Sequence, residues 1–246
     1  MNPEEYAVMF EVECRHWWYL GMERITRALL DRWCRPVAGL RILDAGCGTG
    51  AAMTSYLSDY GCVTGFDLSP EAVRFSARRG ATRLVLASVI HIPFCEACFD
   101  LAVSFDVLYE QGVPDDLPAL RELHRVLAPG GHLLIRLPAY DWLRGRHDTA
   151  VHSRHRYTRP EVAALLNRAG FDVVHASYGN TFLFPAALVK RLGERWWPSR
   201  QGGSDLTLKV GPLNRLFAAI LASEASLVAG PGLPFGLSVV AVGRRA

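Results

Sequence analysis

The sequence predicts an α/β protein built on a doubly wound, seven-stranded, mostly parallel sheet, with a helical segment in front and a helical insertion before the last strand. Three observations predict it. Short apolar runs alternate with amphipathic helical stretches between residues 40 and 177. The first run, ILDAGCGTG, ends on an acidic residue followed by closely spaced glycines. The 246 residues, half of them hydrophobic and 21% charged, suffice for one large core.

Taken in order, residues 4–34 place Tyr6, Phe10, Trp17, Trp18, Leu20, Ile25, Leu29, Leu30 and Trp33 at spacings that suit one or two helices, stopped by Pro36 and Gly39. Strands are expected near 40–45 (LRILDA), 62–67 (CVTGFD), 84–87 (LVLA), 100–105 (DLAVSF) and 132–137 (HLLIRL). Helices are expected near 50–59, 70–79, 115–127 and 159–169, and Gly130 and Gly131 read as a tight turn into the fifth strand. Strand and helix in alternation favour a parallel sheet covered on both faces. Strands near 171–177 (FDVVHAS) and 237–243 (LSVVAVG) complete it. The long connection 179–236 holds two apolar helical stretches, TFLFPAALVKRL and LNRLFAAILASEASLV, separated by a Gly/Ser turn at Gln201–Ser204. The chain thus divides into an N-terminal helical cap (1–38), a core (39–178), the insertion (179–236) and a last strand (237–246), all within a single domain 1–246.

Composition excludes several classes. A formal net charge of +3, with basic residues scattered except for a loose cluster between Arg144 and Arg159, argues against a nucleic-acid partner. The N-terminus begins with acids and lacks a secretory pattern, and no apolar run reaches the ~20 residues that span a bilayer, so a cytoplasmic location is expected. Cys14, Cys34, Cys47, Cys62, Cys95 and Cys98 form no disulfide framework. The CxxC pair Cys95/Cys98 lacks the second pair or the histidines that zinc requires, and reads as a loop.

Chemistry concentrates at the glycines. In an open α/β sheet a ligand lies beyond the carboxyl ends of the strands where strand order reverses, and a glycine turn there lets it approach bare main chain and a helix N-terminus. Gly46, Gly48 and Gly50 make that turn. Their G-x-G-x-G spacing differs from the G-x-G-x-x-G that admits a dinucleotide pyrophosphate, which disfavours a nucleotide-binding oxidoreductase. Asp44 ends the first strand, and Asp67 ends the second in GFDLSP, where a carboxylate can accept from both hydroxyls of a ribose.

In order and spacing, ILDAGCGTG, GFDLSP, IPFCEACFDLAVSFDVLYE and LRELHRVLAPGGHLLI resemble the class I S-adenosylmethionine (SAM) dependent methyltransferases, in their small-molecule, methyltransferase type 11-like branch. The resemblance covers roughly residues 40–177. It implies a Rossmann-like fold, SAM as cofactor and methyl transfer to a small-molecule acceptor. It sets Gly46 and Gly48 against the methionine part of SAM, Asp67 on the ribose and Leu68 on adenine, with Asp106 at the methionine end. Ser88 stands where many relatives carry an acid for the adenine amino group, so Ser88 and Val89 are the expected adenine contacts, through a weaker acceptor.

Methyl transfer requires the nucleophile in line with the S–CH3 bond. A hydroxyl acceptor can also need a base, and the segment LPAYDWLRGRHDTAVHSRHRYT offers His147, His152, His155 and Tyr157, beside Tyr140 and Asp148. A surface loop explains the same histidines, and their spacing with Asp148 suits a metal poorly, so no metal is expected. Tyr6, His16, Trp17 and Trp18 are lid candidates, Trp18 facing the cofactor, although packing on the sheet explains the aromatics equally well. Tyr109 and Glu110 follow the fourth strand and are candidates for the floor of the acceptor site. The insertion, with Phe182, Phe184, Leu188, Trp196, Trp197, Leu216, Phe217 and Ile220, is expected to cap an apolar acceptor. Its alternatives are a homodimer contact in place of a monomer, or a membrane surface through Lys190, Arg191, Arg195 and Arg200. O-methylation of a hydrophobic or aromatic acceptor is the favoured function, and a catalytically silent SAM-binding partner protein is the alternative.

Overall fold

The computed structural model describes residues 3–34, 39–145, 148–149, 152–189, 211 and 213–246. Helices α1 (Pro3–Val12) and α2 (Trp17–Trp33) precede β1 (Leu40–Ala45), α3 (Ala51–Ser55), β2 (Gly61–Asp67), α4 (Pro70–Arg78), β3 (Leu84–Leu86) and β4 (Phe99–Phe105). Then come α5 (Asp116–Val126), β5 (Leu127–Pro138), α6 (Arg159–Arg168), β6 (Phe171–Gly179), α7 (Leu213–Ser223), α8 (Ala225–Ala229) and β7 (Ser238–Arg245). The sheet runs β3-β2-β1-β4-β5-β7-β6. β7 pairs antiparallel with both β5 and β6, and the other pairings are parallel.

Alternating residues of the central strands bury opposite faces. Leu43, Phe66, Ala102 and Leu133 point into a core with Leu120, Leu123 and Leu166, whereas Ile42, Leu101, Val103 and Leu134 pack with Ile25, Leu29 and Leu30 of α2 and Leu221 of α7. Each such fully buried Leu or Ile contributes about 1.5–3 kcal/mol. Because helices cover both faces, the strands read as continuous apolar runs.

Local chemistry explains the boundaries. Ser69 caps α4 with Pro70 in its first turn, Asp115 caps α5, and Thr158 with Glu161 forms a capping box for α6. The helix expected over 50–59 stops at Ser55 and continues as a 3-10 turn, Leu57–Asp59. There the Thr54 and Ser55 hydroxyls donate to the carbonyls of Gly50 and Ala51, competing with the helical ladder. The expected turn at Gly130–Gly131 is instead part of β5, beside a register shift between Phe99 and Leu101. Gly130 takes φ +78°, and a Cβ on Gly131 would come within 2.8 Å of the Ala128 carbonyl, so both glycines serve an irregularity within the strand.

Within the insertion the chain is helical at 184–189 and again in α7 and α8. Lys190, Arg191, Arg195, Trp196, Trp197, Arg200 and the expected turn at 201–204 lie outside the described residues. α7 packs on α2, where a Cβ on Gly21 would fall 2.5 Å from Leu221 Cγ. The Trp17 amide donates to Asn214 Oδ1 (2.8 Å), Asn214 Nδ2 donates to the Arg15 carbonyl (2.7 Å), and Trp33 Nε1 donates to the Ala229 carbonyl (3.0 Å). The insertion is thereby fastened to the N-terminal helix. Among the described residues no helix is long and apolar enough to cross a membrane.

Candidate active site

Strand order reverses between β1 and β4, and the glycine turn lies there. Gly46, Gly48 and Gly50 have φ of +82°, +54° and +80°. A Cβ at Gly46 would meet Val107 Cγ2 at 2.3 Å, and one at Gly48 would meet Met9 Cε at 2.9 Å, so the loop after β4 and helix α1 both press against bare backbone. The Gly48 amide donates to Asp67 Oδ2 and the Ser69 amide to Asp67 Oδ1, both at 2.9 Å. These bonds aim the carboxylate from the tip of β2 at the turn. Burial raises the Asp67 pKa and the two amides pull it back.

Beneath the turn Asp44 is 2% exposed, and its Oδ2 has no hydrogen-bond partner. Burial, reinforced by the charge of Asp67 and opposed by Arg136, pushes its pKa up to about 7. A buried, unpartnered carboxylate oxygen calls for a cation or a strong donor.

One cavity of about 670 Å³ opens over this turn, within the range of small-molecule sites. Asp44, Gly46, Gly48, Asp67, Leu68, Ser88, Val89, Asp106 and Trp18 all line it. Gly50 does not; it shapes the entry to α3, and a Cβ there would meet the Ser76 side chain at 2.8 Å. The Ser88 hydroxyl accepts from the Ile90 amide (3.4 Å), which fixes the loop after β3.

Asp106, at φ +60°, pairs with Arg136 of β5 through Nε (2.8 Å) and Nη2 (2.7 Å). The guanidinium lies 4.8 Å from the ring centroid of Trp18, so the Trp18 indole is held against a protein cation.

The N-terminal helices form one wall. Arg79 donates to the carbonyls of Thr49 (3.0 Å) and Phe10 (3.0 Å) and to Glu13 Oε1 (2.6 Å), while the Thr49 hydroxyl also donates to Glu13. These contacts strap α1 onto the glycine turn, and Tyr6, His16 and Trp17 join the lining. His16 caps α2 by accepting the Trp18 amide on Nδ1, which leaves the proton of the neutral ring on Nε2. Burial holds its pKa below the ordinary value, and the buried Nε2 has no partner. His16 therefore presents a donor and no free basic nitrogen.

The expected bases lie elsewhere. His155 meets carboxylates on both nitrogens, Asp141 at 2.8 Å and Glu161 at 2.7 Å, and is spent on tying the loop to α6. Tyr157 is fully buried in the core, donating to Asp116 Oδ1 at 2.9 Å, and burial raises its pKa well above the ordinary range. His152, at φ +53°, borders a separate recess of about 370 Å³. His147 lies outside the described residues. The segment instead sends Asp148 and Arg156 to the main cavity, as a buried pair with contacts of 2.7 and 3.0 Å. Among the described residues, no three His, Cys, Asp or Glu side chains are grouped to hold a metal ion.

Sequence reasoning missed Arg136, Glu13 and Asn180. Arg136 carried a signal, a charge inside the apolar run HLLIRLP of a central strand. Asn180 carried none.

A crevice at the strand-order reversal, with glycine backbone, a strand-end carboxylate and an orphaned acid under the turn, fits the ammonium, sulfonium and ribose of SAM. Residues 43–135 match the family described as methyltransferase domain. An O-methyltransferase, rstn1, from Aspergillus nomiae is 28% identical over 63% of this chain and 74% of its own length. A malonyl-[acyl-carrier protein] O-methyltransferase from Herminiimonas arsenicoxydans is 34% identical over 63% of this chain and 61% of its own. The solved geranyl diphosphate C-methyltransferase of Streptomyces coelicolor, in complex with S-adenosyl-L-homocysteine, superposes with a TM-score of 0.60 at 16% identity, covering 90% of this chain and 78% of that one. The domain match, the methyltransferase relatives and the fold together support a class I SAM-dependent methyltransferase. Its cofactor is S-adenosylmethionine, and residues 43–135 are the part that the methyltransferase-domain family describes.

Proposed function

We propose that this protein methylates an oxygen of a small, predominantly apolar acceptor, seated at the end of the cavity away from the glycine turn. The observation that carries this reading is the continuity of one cavity from Asp67 and Gly48 to a wall made by Leu183, Ala186, Ala187, Phe217 and Leu237. That wall is apolar, and it belongs to the insertion and the residue just before β7.

Asp67 would hold the ribose, Leu68 and Val89 would pack on adenine beside Ser88, and the glycine turn with Asp44 would receive the cationic amino acid end. When bound, the cofactor supplies a methyl group activated by its positive sulfur. The chain's contribution is to orient the acceptor and exclude water, through the strap from Arg79 to Glu13 and the aromatic wall Trp17–Trp18. Asp106 and Asp148 are each engaged by an arginine. With His16 presenting a donor, the site suits an acceptor oxygen that ionises readily, such as a phenol, an enol or a carboxylic acid. The names of the two sequence relatives, both O-methyltransferases, support oxygen as the target.

The test is calorimetry with SAM, followed by mass spectrometry of SAM reactions with a panel of phenols and aromatic acids. Tight SAM binding with a methylated phenol or acid is expected. Asp67→Ala should weaken SAM binding at least tenfold, about 1.4 kcal/mol. Tight binding with no methyl release across the panel would point to the silent SAM-binding alternative.

A further inference from the structure

Asn180, the first residue beyond β6, sits at the opposite half of the sheet from β2 and Asp67. Its φ of +59° is in the left-handed region, where asparagine is among the few tolerated side chains. The surroundings over-determine this conformation. Its carbonyl accepts from the Leu237 amide (3.4 Å). The buried carboxylate of Glu224 collects the amides of Thr181 (2.9 Å) and Phe182 (2.6 Å), and the Thr181 hydroxyl donates to the Phe235 carbonyl. A left-handed residue held in this way in the wall of a cavity is the kind of outlier from which function can be argued.

The side chain supplies the second observation. Asn180 is 2% exposed, lines the same cavity as the cofactor residues, and its Oδ1 is buried without a hydrogen-bond partner. Leu183, Ala187, Leu237 and Phe217 of the same lining offer no side-chain donor, and the Ser238 hydroxyl, also in the lining, does not bond to Asn180 Oδ1. An acceptor atom left unsatisfied in an apolar wall is costly with an apolar ligand and satisfied by one that brings an O–H or N–H. Sites of this design reject the analogue lacking the donor far more strongly than apolar pockets reject a change of shape.

We infer that Asn180 is the acceptor-recognising residue of this site, its Oδ1 receiving a hydrogen bond from a hydroxyl on an otherwise apolar acceptor. The inference rests on the functional reading above and adds to it the residue that recognises the acceptor's hydroxyl. It also separates Asn180 from a purely structural role, since the backbone conformation alone would be served equally by glycine.

The test uses the protein loaded with S-adenosylhomocysteine, so that no turnover occurs. Equilibrium dialysis compares 1-naphthol with 1-methylnaphthalene, near-isosteres that differ in the hydroxyl. The parent is expected to prefer the naphthol at least tenfold. Asn180→Asp, which tolerates the same φ and keeps an acceptor, should retain that preference. Asn180→Gly, which keeps the backbone conformation and deletes the amide, should reduce it below threefold while leaving S-adenosylhomocysteine affinity within twofold of the parent. An undiminished preference in Asn180→Gly, or no preference in the parent, overturns the assignment and leaves the apolar-acceptor reading standing. A parent that binds neither probe overturns that reading, and the assignment with it.

Discussion

The two ends of the cavity are built on different principles. The end proposed for the cofactor draws, besides the wall from the N-terminal helices, on one stretch, Asp44 to Asp106, in which strand ends and the turns after them place backbone amides, glycines and carboxylates by local rules. The acceptor end is assembled from Asp148 and Arg156, Asn180, Leu183, Ala187, Phe217 and Leu237, which meet only because β6 and β7 pair with each other and α7 lies on α2. Chemistry shared by all users of one cofactor can be written into a contiguous segment. Chemistry that selects an acceptor is spread over whatever the sheet's far half brings together.

The largest break in this contrast comes from the acceptor side. Arg156 and Asp148 are 9% and 6% exposed at their side chains, so Arg156→Met would take the guanidinium away from a buried carboxylate that also accepts the Gly145 amide. A loss of about 3–5 kcal/mol in chemical unfolding is expected, and a loss below 1 kcal/mol would mean that the pair is solvated and the acceptor end looser than described.

A smaller effect probes the cofactor side. With its pKa near 7, Asp44 is mostly protonated at pH 6 and mostly ionised at pH 8 in the cofactor-free protein. If the cationic cofactor binds the ionised form, affinity measured by calorimetry should rise about tenfold from pH 6 to pH 8, and Asp44→Asn should flatten the profile. The sign reverses for folding. The folded-state pKa lies above the ordinary value, so native stability from this group is greatest below that ordinary value and falls as pH rises through about 7. Asp44→Asn should therefore be more stable than the parent at pH 8 while binding the cofactor less well. A parent affinity flat across this range would remove Asp44 from the cofactor end.

The smallest effect sharpens the comparison at the loop between the two ends. His155 is partly exposed and bonded to Asp141 and Glu161, so His155→Ala should cost up to about 1 kcal/mol of stability. Turnover should stay within twofold of the parent once a competent acceptor is in hand; a drop of tenfold or more would restore His155 as a base.

How far the sequence could be read follows the same division. All seven strands lie where apolar runs and turn residues place them, because each buried strand needs its own local pattern. The elements misjudged were those where side chains compete with the backbone, as at Thr54 and Ser55, or where glycines serve a strand irregularity, as at Gly131. The glycine turn and Asp67 were legible because positive φ and a strand-end carboxylate leave residue-type signatures. His155 and Tyr157 misled because residue type announces capacity for proton transfer, whereas partners decide its use. Asn180 was invisible, since an asparagine after a strand reads as an ordinary turn former.

By itself the sequence determined the order of strands and helices, the strand-order reversal that opens the crevice and the class of cofactor that fits it, because these depend on short-range periodicity and backbone conformation. Only the tertiary structure decided which charged groups are paired, that Arg136 lies beneath Trp18, and that one amide oxygen in the far wall is left without a partner. Burial and pairing are properties of contacts between segments remote in the chain, and no local pattern encodes them.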